Sequence, residues 1–242
     1  MAIAALKGRA TLSTRPSCDT ITVIPVIEKT IPTRIHGRYL IAPADGDGPA
    51  PMLIGFHGYG EPAEAHLDRL RMIPDVSAWT VVCIQGLHRF YQRRANAVVA
   101  SWMTRQDREL AIADNLAYVA AVIDAEWTAR LGSRHVVFAG FSQGVAMAFR
   151  AAAVSAHPVG GVIAAGGDIP PELDRAALGC LGHVLLCRGE KDEWYTAEKF
   201  ERDQARLRDS VVDVTALEFP CGHEWTDDIA RAASRFLSAR RE

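Results

Sequence analysis

Ser142 is the first residue whose type and neighbours suggest chemistry, because Gly140–Gly144 (GFSQG) fits the pattern G-x-S-x-G. The apolar run His135–Ala139 before it is typical of a buried strand. The alanine-rich run Val145–Ala153 after it favours a helix. A sharp strand-to-helix turn strains the backbone of the central serine and presents its hydroxyl over the helix N-terminus. The partial positive charge there favours a developing anion.

A serine hydroxyl is a weak nucleophile unless a base takes its proton and a third group orients that base. Asp192 and His223 each follow a predicted strand, and the chain order Ser142, Asp192, His223 is the order of α/β-hydrolases. Asp168 is the alternative acid, since it also follows a strand. His57 is the alternative base, although its early position favours a role in organising a loop.

Such a site also needs hydrogen-bond donors for the oxyanion that forms when the serine attacks. His57–Gly60 (HGYG) follows the predicted strand Met52–Phe56, where a loop of this kind belongs. The backbone N–H groups of Tyr59 and Gln143 are therefore the predicted oxyanion hole. Because neither role uses a side chain, Gln143→Ala is predicted to retain activity if the backbone holds its conformation.

Strands alternate with helices along most of the chain, which predicts an open, mostly parallel sheet with helices on both faces. Pro25 and Pro32 favour edge positions for the first two strands. Residues 1–18 are predicted to be a loose N-terminal tail and 19–242 a single domain. The predicted strands are Thr20–Ile27, Arg34–Ala42, Met52–Phe56, Trp79–Ile84, His135–Ala139, Gly160–Ala165, His183–Cys187 and Val211–Phe219. The predicted helices are Pro62–Met72, Asp107–Leu131, Val145–Ala153, Thr196–Arg208 and Trp225–Ala239.

The motifs HGYG, GFSQG, RGEKD and CGHE together resemble the phospholipase/carboxylesterase family of α/β-hydrolases, which includes the acyl-protein thioesterases. The resemblance runs from about Pro51 to the C-terminus. It implies an α/β-hydrolase fold that cleaves carboxylic esters or thioesters without a metal or organic cofactor. It also implies Ser142 as nucleophile, Asp192 as acid and His223 as base. The chain departs from the family at Val145 and in the acid loop after Asp192, so the resemblance does not assign a substrate.

The segment Gln85–Gln106 shows no clear helix or strand, and a gap of this length inside a domain is usually functional. It is rich in aromatic residues with arginines between them. It is predicted to form one wall of the substrate pocket through Trp102 and Met103, with Trp194 and Tyr195 opposite. The arginines could attract an anionic leaving group, although a solvated face explains them better.

Composition limits the classes of partner. The 242 residues are 49% hydrophobic and 23% charged with a formal net charge of −2, which gives no reason to expect nucleic acid. No apolar run approaches the ~20 residues of a membrane span. The five cysteines are scattered without metal-site spacing, which favours free thiols in the cytoplasm and no metal.

The sequence therefore predicts a serine hydrolase that cleaves carboxylic esters, with thioesters also open, through an acyl-enzyme on Ser142. The expected substrates are soluble small molecules with short-to-medium acyl groups, because no insertion is large enough to form a lid domain. Two alternatives remain: a peptidase or amidase on the same fold, and a non-catalytic binding protein. Whether the chain forms a homodimer is left open.

Overall fold

The computed structural model of the protein describes residues 27–46, 48–92, 96–129 and 135–240. The chain divides into two units between Arg34 and Ile35. In the described part of the first unit, residues 27–34 are exposed and contain no helix or strand. The predicted tail at 1–18, and all but the last residue of the predicted strand Thr20–Ile27, lie outside the described residues.

The described residues of the second unit form alternating strands and helices. The strands are β1 (Arg38–Ala42), β2 (Met52–Phe56), β3 (Thr80–Gln85), β4 (His88–Gln92), β5 (Ala97–Ser101), β6 (Val136–Phe141), β7 (Val159–Ala165), β8 (His183–Gly189) and β9 (Asp213–Phe219). The α-helices are α1 (Ala63–Arg71), α2 (Arg108–Ala129), α3 (Gln143–Ala153), α4 (Arg175–Gly179), α5 (Ala197–Asp209) and α6 (Asp227–Ser238). A short 3₁₀ helix covers Val76–Ala78.

Seven of these strands form one sheet in the order β1-β3-β2-β6-β7-β8-β9. All neighbours in it are parallel except β1, which pairs antiparallel with β3 at the edge. Every residue of β2, β3 and β6 is buried, as expected for parallel strands covered on both faces. The carboxyl ends of β2, β6, β7, β8 and β9 therefore meet at one edge of the sheet.

Two hydrophobic clusters cover the two faces of this sheet. Along β6, Val136 and Phe138 pack with residues of α2, α3, α4 and α5, whereas Val137 and Ala139 pack with residues of α1 and α6. Full burial of a side chain such as Phe138 stabilises the fold by roughly 1.5–3 kcal/mol. The predicted mostly parallel sheet with helices on both faces is confirmed.

The segment Gln85–Gln106 differs from its prediction, because most of it is an antiparallel hairpin of β4 and β5. All five residues of β4 are exposed, so its sequence lacks the apolar alternation that marks a strand facing a core. The turn of the hairpin includes residues outside the described ranges. The helix α4 was also missed, since it has only five residues.

Gly144 lies where the first turn of α3 packs against the end of β2. A Cβ atom at this position would lie 2.1 Å from the carbonyl oxygen of Phe56, a backbone atom that cannot rotate away. Overpacking at such a point has a large cost, so Gly144→Ala should lower the free energy of unfolding by about 3 kcal/mol. Urea denaturation measures this change. Gly48→Ala is the control, because a Cβ atom there meets nothing within 4 Å; equal stability of the two variants would contradict the packing described here.

Candidate active site

Ser142 stands at the junction between β6 and α3, at the carboxyl edge of the sheet. Its backbone has φ 54° and ψ −122°, a positive φ that a residue with a side chain seldom adopts. Its N–H group donates to the carbonyl of Ala165 at the end of β7, at 3.0 Å, which secures the turn. Strain of this kind at the end of a central strand is common at functional sites and presents the hydroxyl outward.

His223 lies in the loop after β9 and connects Ser142 to a carboxylate. Its Nε2 atom is 2.9 Å from the Ser142 hydroxyl, and its Nδ1 atom is 2.7 Å from Asp192 Oδ2. The loop ends at Thr226, whose side chain caps α6 by accepting from the N–H of Ile229. With Asp192 accepting at Nδ1, the proton of a neutral imidazole sits on Nδ1, which leaves Nε2 to accept from the serine.

Asp192 follows β8, and its side chain is only 1% exposed. Its second oxygen, Oδ1, accepts from the backbone N–H groups of Trp194 and Tyr195 at 2.8 and 2.9 Å. These two bonds fix the carboxylate while Oδ2 faces the imidazole. A hydroxyl, imidazole and carboxylate in this order can pass a proton away from the hydroxyl and stabilise the resulting cation.

The alternative acid and base are engaged elsewhere. Asp168 pairs with Lys199 at 3.2 Å and with Arg202 at 3.7 Å. His57 is fully buried, accepts from the N–H of Gly86 at Nε2, and has Nδ1 2.7 Å from the carbonyl of Gly58. Burial lowers the pKa of His57 below its ordinary value, so this imidazole stays neutral and organises its loop.

The predicted oxyanion loop is held from two sides. Glu61 Oε2 accepts from the N–H of Gly58 at 2.8 Å, and the Arg69 guanidinium binds both oxygens of Glu61 at 2.6 and 2.5 Å. Burial alone would raise the pKa of Glu61, but the hydrogen bonds and charge of Arg69 bring it below the ordinary value. The N–H of Gly60 donates to the carbonyl of Ala100 in β5 at 2.9 Å.

Neither Glu61 nor Arg69 was among the residues singled out from the sequence. Glu61 precedes α1 and Arg69 lies near its end, and their separation of eight residues gave no reason to pair them. A signal was present in Glu61 following directly after HGYG, where a side chain can reach back to the loop's own N–H groups.

The side chain of Gln143 has a structural role of its own, in addition to the predicted role of its backbone N–H group. Its Oε1 accepts from the N–H of Trp102 at 3.0 Å and lies 3.3 Å from the Ser101 hydroxyl, while Nε2 donates to the carbonyl of Met103 at 3.1 Å. The side chain therefore ties the end of the hairpin to the turn that holds Ser142. The prediction that Gln143→Ala retains activity therefore depends on whether the backbone of this turn holds without these side-chain hydrogen bonds.

A cavity of about 610 Å³ opens beside Ser142 and His223. Its aromatic lining comes from Tyr59, Phe141, Trp194 and Trp225. Its polar lining includes Glu224 and the Glu61–Arg69 pair, with the Arg69 guanidinium 4.3 Å from the centre of the Phe141 ring. Trp194, from the acid loop, is 74% exposed and lines this cavity.

The other predicted pocket residues do not line it, which corrects the pocket derived from the sequence. Trp102 is 0% exposed; its indole N–H donates to the carbonyl of His57 at 2.8 Å and its ring stacks on His57. Tyr195 is also 0% exposed, with its hydroxyl 3.2 Å from Asp203. Met103 is partly buried and its sulfur contacts Arg150. The side chains of these three residues pack in or against the hydrophobic core instead.

The described residues do not support a thiol nucleophile or a metal centre at this site. Burial, followed by the charges of Glu224 and Asp192, raises the pKa of the Cys221 thiol, so it is a poor nucleophile beside His223. Within the described ranges, no group of three or more His, Cys, Asp or Glu side chains could hold a metal ion. None of the helices described is both long and apolar enough to cross a membrane.

The sheet order, the turn at Ser142 and the loops at the carboxyl edge define an α/β-hydrolase fold. The family model for Phospholipase/Carboxylesterase matches residues 41–240, and the chain belongs to this family of esterase and thioesterase hydrolases. A search of curated protein sequences found no significant match.

Solved structures share the fold at low sequence identity. The Bacillus cereus carboxylesterase is 16% identical over 84% of this chain and 94% of its own, with a TM-score of 0.68. The Zea mays acyl-protein thioesterase 2 is 17% identical over 86% of this chain and 100% of its own, with a TM-score of 0.68. A carboxylesterase from Mesorhizobium loti is 19% identical over 84% of this chain and 94% of its own, with a TM-score of 0.68.

Proposed function

We propose that the protein hydrolyses carboxylic esters of small molecules, and thioesters by the same route, through an acyl-enzyme on Ser142. The observation that carries this proposal is the pair of contacts made by His223, 2.9 Å to the Ser142 hydroxyl and 2.7 Å to Asp192. Contacts of this length allow proton transfer without rearrangement of the side chains.

In the first half-reaction, the Ser142 oxygen attacks the acyl carbon while His223 Nε2 takes the hydroxyl proton. The carbonyl oxygen becomes an anion facing the N–H groups of Tyr59 and Gln143. The carbon–oxygen or carbon–sulfur bond to the leaving group then breaks, and the imidazolium returns its proton to the departing alcohol or thiol. Asp192 stabilises the imidazolium while it exists.

In the second half-reaction, water attacks the acyl-enzyme with His223 again as base. The bond between the acyl carbon and the Ser142 oxygen breaks, the serine recovers its proton and the acid leaves. Each step uses groups of this chain and water, so the mechanism needs no cofactor. Within the described part of the chain, the N–H groups of Tyr59 and Gln143 donate to no backbone carbonyl, which leaves both for the oxyanion.

The cavity supports small-molecule substrates with short-to-medium acyl groups. Its volume of about 610 Å³ lies within the range of roughly 300–1,000 Å³ typical of small-molecule sites. The aromatic rings of Trp194, Trp225 and Phe141 offer apolar contact area, while Glu224 and the Glu61–Arg69 pair keep one side polar. The proposed location of the protein is the cytoplasm, because the four described cysteines are free thiols.

Glu61→Gln should lower kcat by on the order of 10- to 100-fold with little change in KM. The neutral amide cannot bind Arg69 by two charged hydrogen bonds, so the loop that carries the Tyr59 N–H loses part of its support. Complete loss of one oxyanion donor costs on the order of 10²–10³ in rate, and a displaced donor costs less. Steady-state kinetics on a p-nitrophenyl ester measures the effect.

Glu64→Gln is the matched control for that variant. Glu64 lies in the first turn of α1, three residues after Glu61, and its ion pair with Arg38 is exposed. Its kinetics should equal those of the wild type. A Glu61→Gln enzyme with unchanged kcat, or with a raised KM alone, would remove Glu61 from the positioning of the oxyanion loop.

A panel of substrates tests the proposed function directly. The purified full chain is assayed on p-nitrophenyl esters of increasing acyl length, on matched acyl thioesters, and on a peptidyl p-nitroanilide. Hydrolysis of esters with a maximum at short or medium length supports the proposal. Turnover of the anilide without any ester, or saturable binding of esters without turnover, would replace it by a peptidase or by a binding protein.

A further inference from the structure

A second cavity, of about 500 Å³, lies on the face of the sheet covered by α2, α3 and α5. We call it the arginine cavity, because four guanidinium groups line it, those of Arg108, Arg150, Arg202 and Arg206. Among its described lining residues Asp168 is the one carboxylate, and the charge of Asp168 is already offset by Lys199 and Arg202. The lining residues therefore carry four positive charges and one negative charge, while Glu109, Glu172 and Asp203 pair with Arg108, Arg150 and Arg202 from outside the lining.

Two of these arginines build the wall. Arg206 donates to the carbonyls of Ile169, Pro170 and Leu173 at 2.8–3.0 Å and so fixes the loop after β7. Arg202 pairs with Asp168 and with the buried Asp203. The remaining two, Arg108 and Arg150, are the groups available to a ligand.

Arg150 is a buried cation with one nitrogen that has no oxygen partner among the described residues. Its side chain is 4% exposed, and its Nε and Nη2 atoms both donate to Glu172 Oε1 at 2.7 and 2.5 Å. Within the same described ranges, its Nη1 atom donates to the sulfur of Met103, at 3.6 Å, and sulfur is a weak acceptor. Burial lowers the pKa of Arg150; the hydrogen bonds and charge of Glu172 act against this, and the nearby charge of Arg108 adds to the lowering.

Arg108 is the first residue of α2, a helix of 22 residues. A cation at this end is repelled by the partial positive charge of the helix N-terminus, where an anion is stabilised instead. Within the described part of the chain, Arg108 pairs with the neighbouring Glu109 at 2.8 Å. The Glu109 side chain is 80% exposed, and exposed ion pairs contribute little to stability. An anion between Arg108 and Arg150 would relieve both unfavourable placements.

The arginine cavity adjoins the site of the proposed reaction. Ala146 lines it and lies one helical turn after Ser142, a rise of about 6 Å along α3. Asp168 lines it as well, three residues after Ala165, whose carbonyl accepts from the N–H of Ser142. The two cavities have no lining residue in common, so a substrate whose acyl carbon meets Ser142 needs a chain long enough to pass Ala146 and Asp168 to reach the arginine cavity.

We propose that the arginine cavity binds an anionic group, a carboxylate or a phosphate, at the far end of the ester that Ser142 cleaves. The inference rests on the proposed function, since it assigns a substrate group to that same site. A planar guanidinium matches the oxygens of a carboxylate or phosphate through paired hydrogen bonds. The preferred substrates are then acidic esters, for example half-esters of dicarboxylic acids.

The first experiment measures anion binding without catalysis. Isothermal titration calorimetry with inorganic phosphate and with glutarate is carried out on Ser142→Ala, alone and combined with Arg108→Gln or Arg231→Gln. Binding should weaken about tenfold with Arg108→Gln, as expected for loss of a charged hydrogen bond. Arg231→Gln is the matched control, since it removes the same charge from the exposed face of α6. Absence of binding, or equal binding by both charge variants, overturns the anion site whatever Ser142 does.

The second experiment decides whether the anion belongs to the substrate. Mono-p-nitrophenyl esters of dicarboxylic acids, from glutarate to sebacate, are compared with neutral esters of the same length. At least one acidic ester should show a kcat/KM about tenfold above that of its neutral match. Arg108→Gln should abolish this preference while neutral esters react as before, and phosphate should inhibit the acidic ester competitively. Anion binding without any preference for acidic esters would show a free anion as the ligand and overturn the substrate assignment. If the wild-type enzyme hydrolyses none of these esters, acidic or neutral, the proposed function itself is contradicted.

Discussion

Replacing Ser142 with alanine should lower kcat for ester hydrolysis by on the order of 10⁶-fold. The methyl group offers no oxygen for attack, and His223 then has no hydroxyl proton to accept at Nε2. The oxyanion donors and the cavity remain in place, so substrate binding should change little. The variant should fold normally, because the positive φ of residue 142 is set by the turn and no packing atom is removed except the hydroxyl oxygen.

Covalent labelling makes this prediction independent of the choice of substrate. Intact mass spectrometry should show one phosphonyl group added by a fluorophosphonate to the wild-type chain and none added to Ser142→Ala. Ser77→Ala is the control, as Ser77 is exposed in the short 3₁₀ helix and should label like the wild type. Label that persists in Ser142→Ala would mean that another side chain is the nucleophile.

Asp192→Asn should lower kcat by on the order of 10⁴-fold while leaving the fold intact. The N–H groups of Trp194 and Tyr195 both donate to Oδ1, so the asparagine carbonyl must take that place. Its NH₂ group then faces His223 Nδ1, which has to become an acceptor. The imidazole proton moves to Nε2, and the ring can no longer accept the proton of Ser142.

Asp168→Asn separates this effect from a general loss of negative charge near the site. It removes one carboxylate from a loop at the same edge of the sheet, but Asp168 pairs with Lys199 and Arg202 and not with His223. The kcat of Asp168→Asn for a neutral ester should stay within a few-fold of the wild-type value, whereas that of Asp192→Asn should fall by on the order of 10⁴-fold. Comparable losses in the two variants would contradict Asp192 as the group that orients the base.

The main contacts of the candidate site were predictable from chain order. Ser142, Asp192 and His223 each follow a strand, and parallel strands bring their carboxyl ends to one edge whatever the distance along the chain. The apolar runs that became β2, β3 and β6 also carried clear signals, since both faces of these strands are buried. The topology could therefore be derived from local pattern together with the handedness and parallel pairing of such folds.

The substrate pocket could not be derived in this way, because aromatic composition does not distinguish a wall from a core. Trp102 follows a strand with buried residues and turns inward to His57, whereas Trp194 turns outward, and no sequence pattern separates the two. The support of the oxyanion loop by Arg69 and the convergence of Arg108 with Arg150 are contacts between distant elements. Such pairings depend on how helices pack, which periodicity within one helix does not determine.

The hairpin of β4 and β5 has one strand that is exposed and one end that is hydrogen-bonded to the candidate site. Residues of β4 are all exposed, whereas Ser101, Trp102 and Met103 are tied to the Gln143 side chain beside Ser142. Relatives that diverge in evolution can therefore lengthen, shorten or exchange the outer part of the hairpin at little cost to folding. The same division makes it a natural graft point for engineering a different selectivity, provided that the tether at 101–103 is kept.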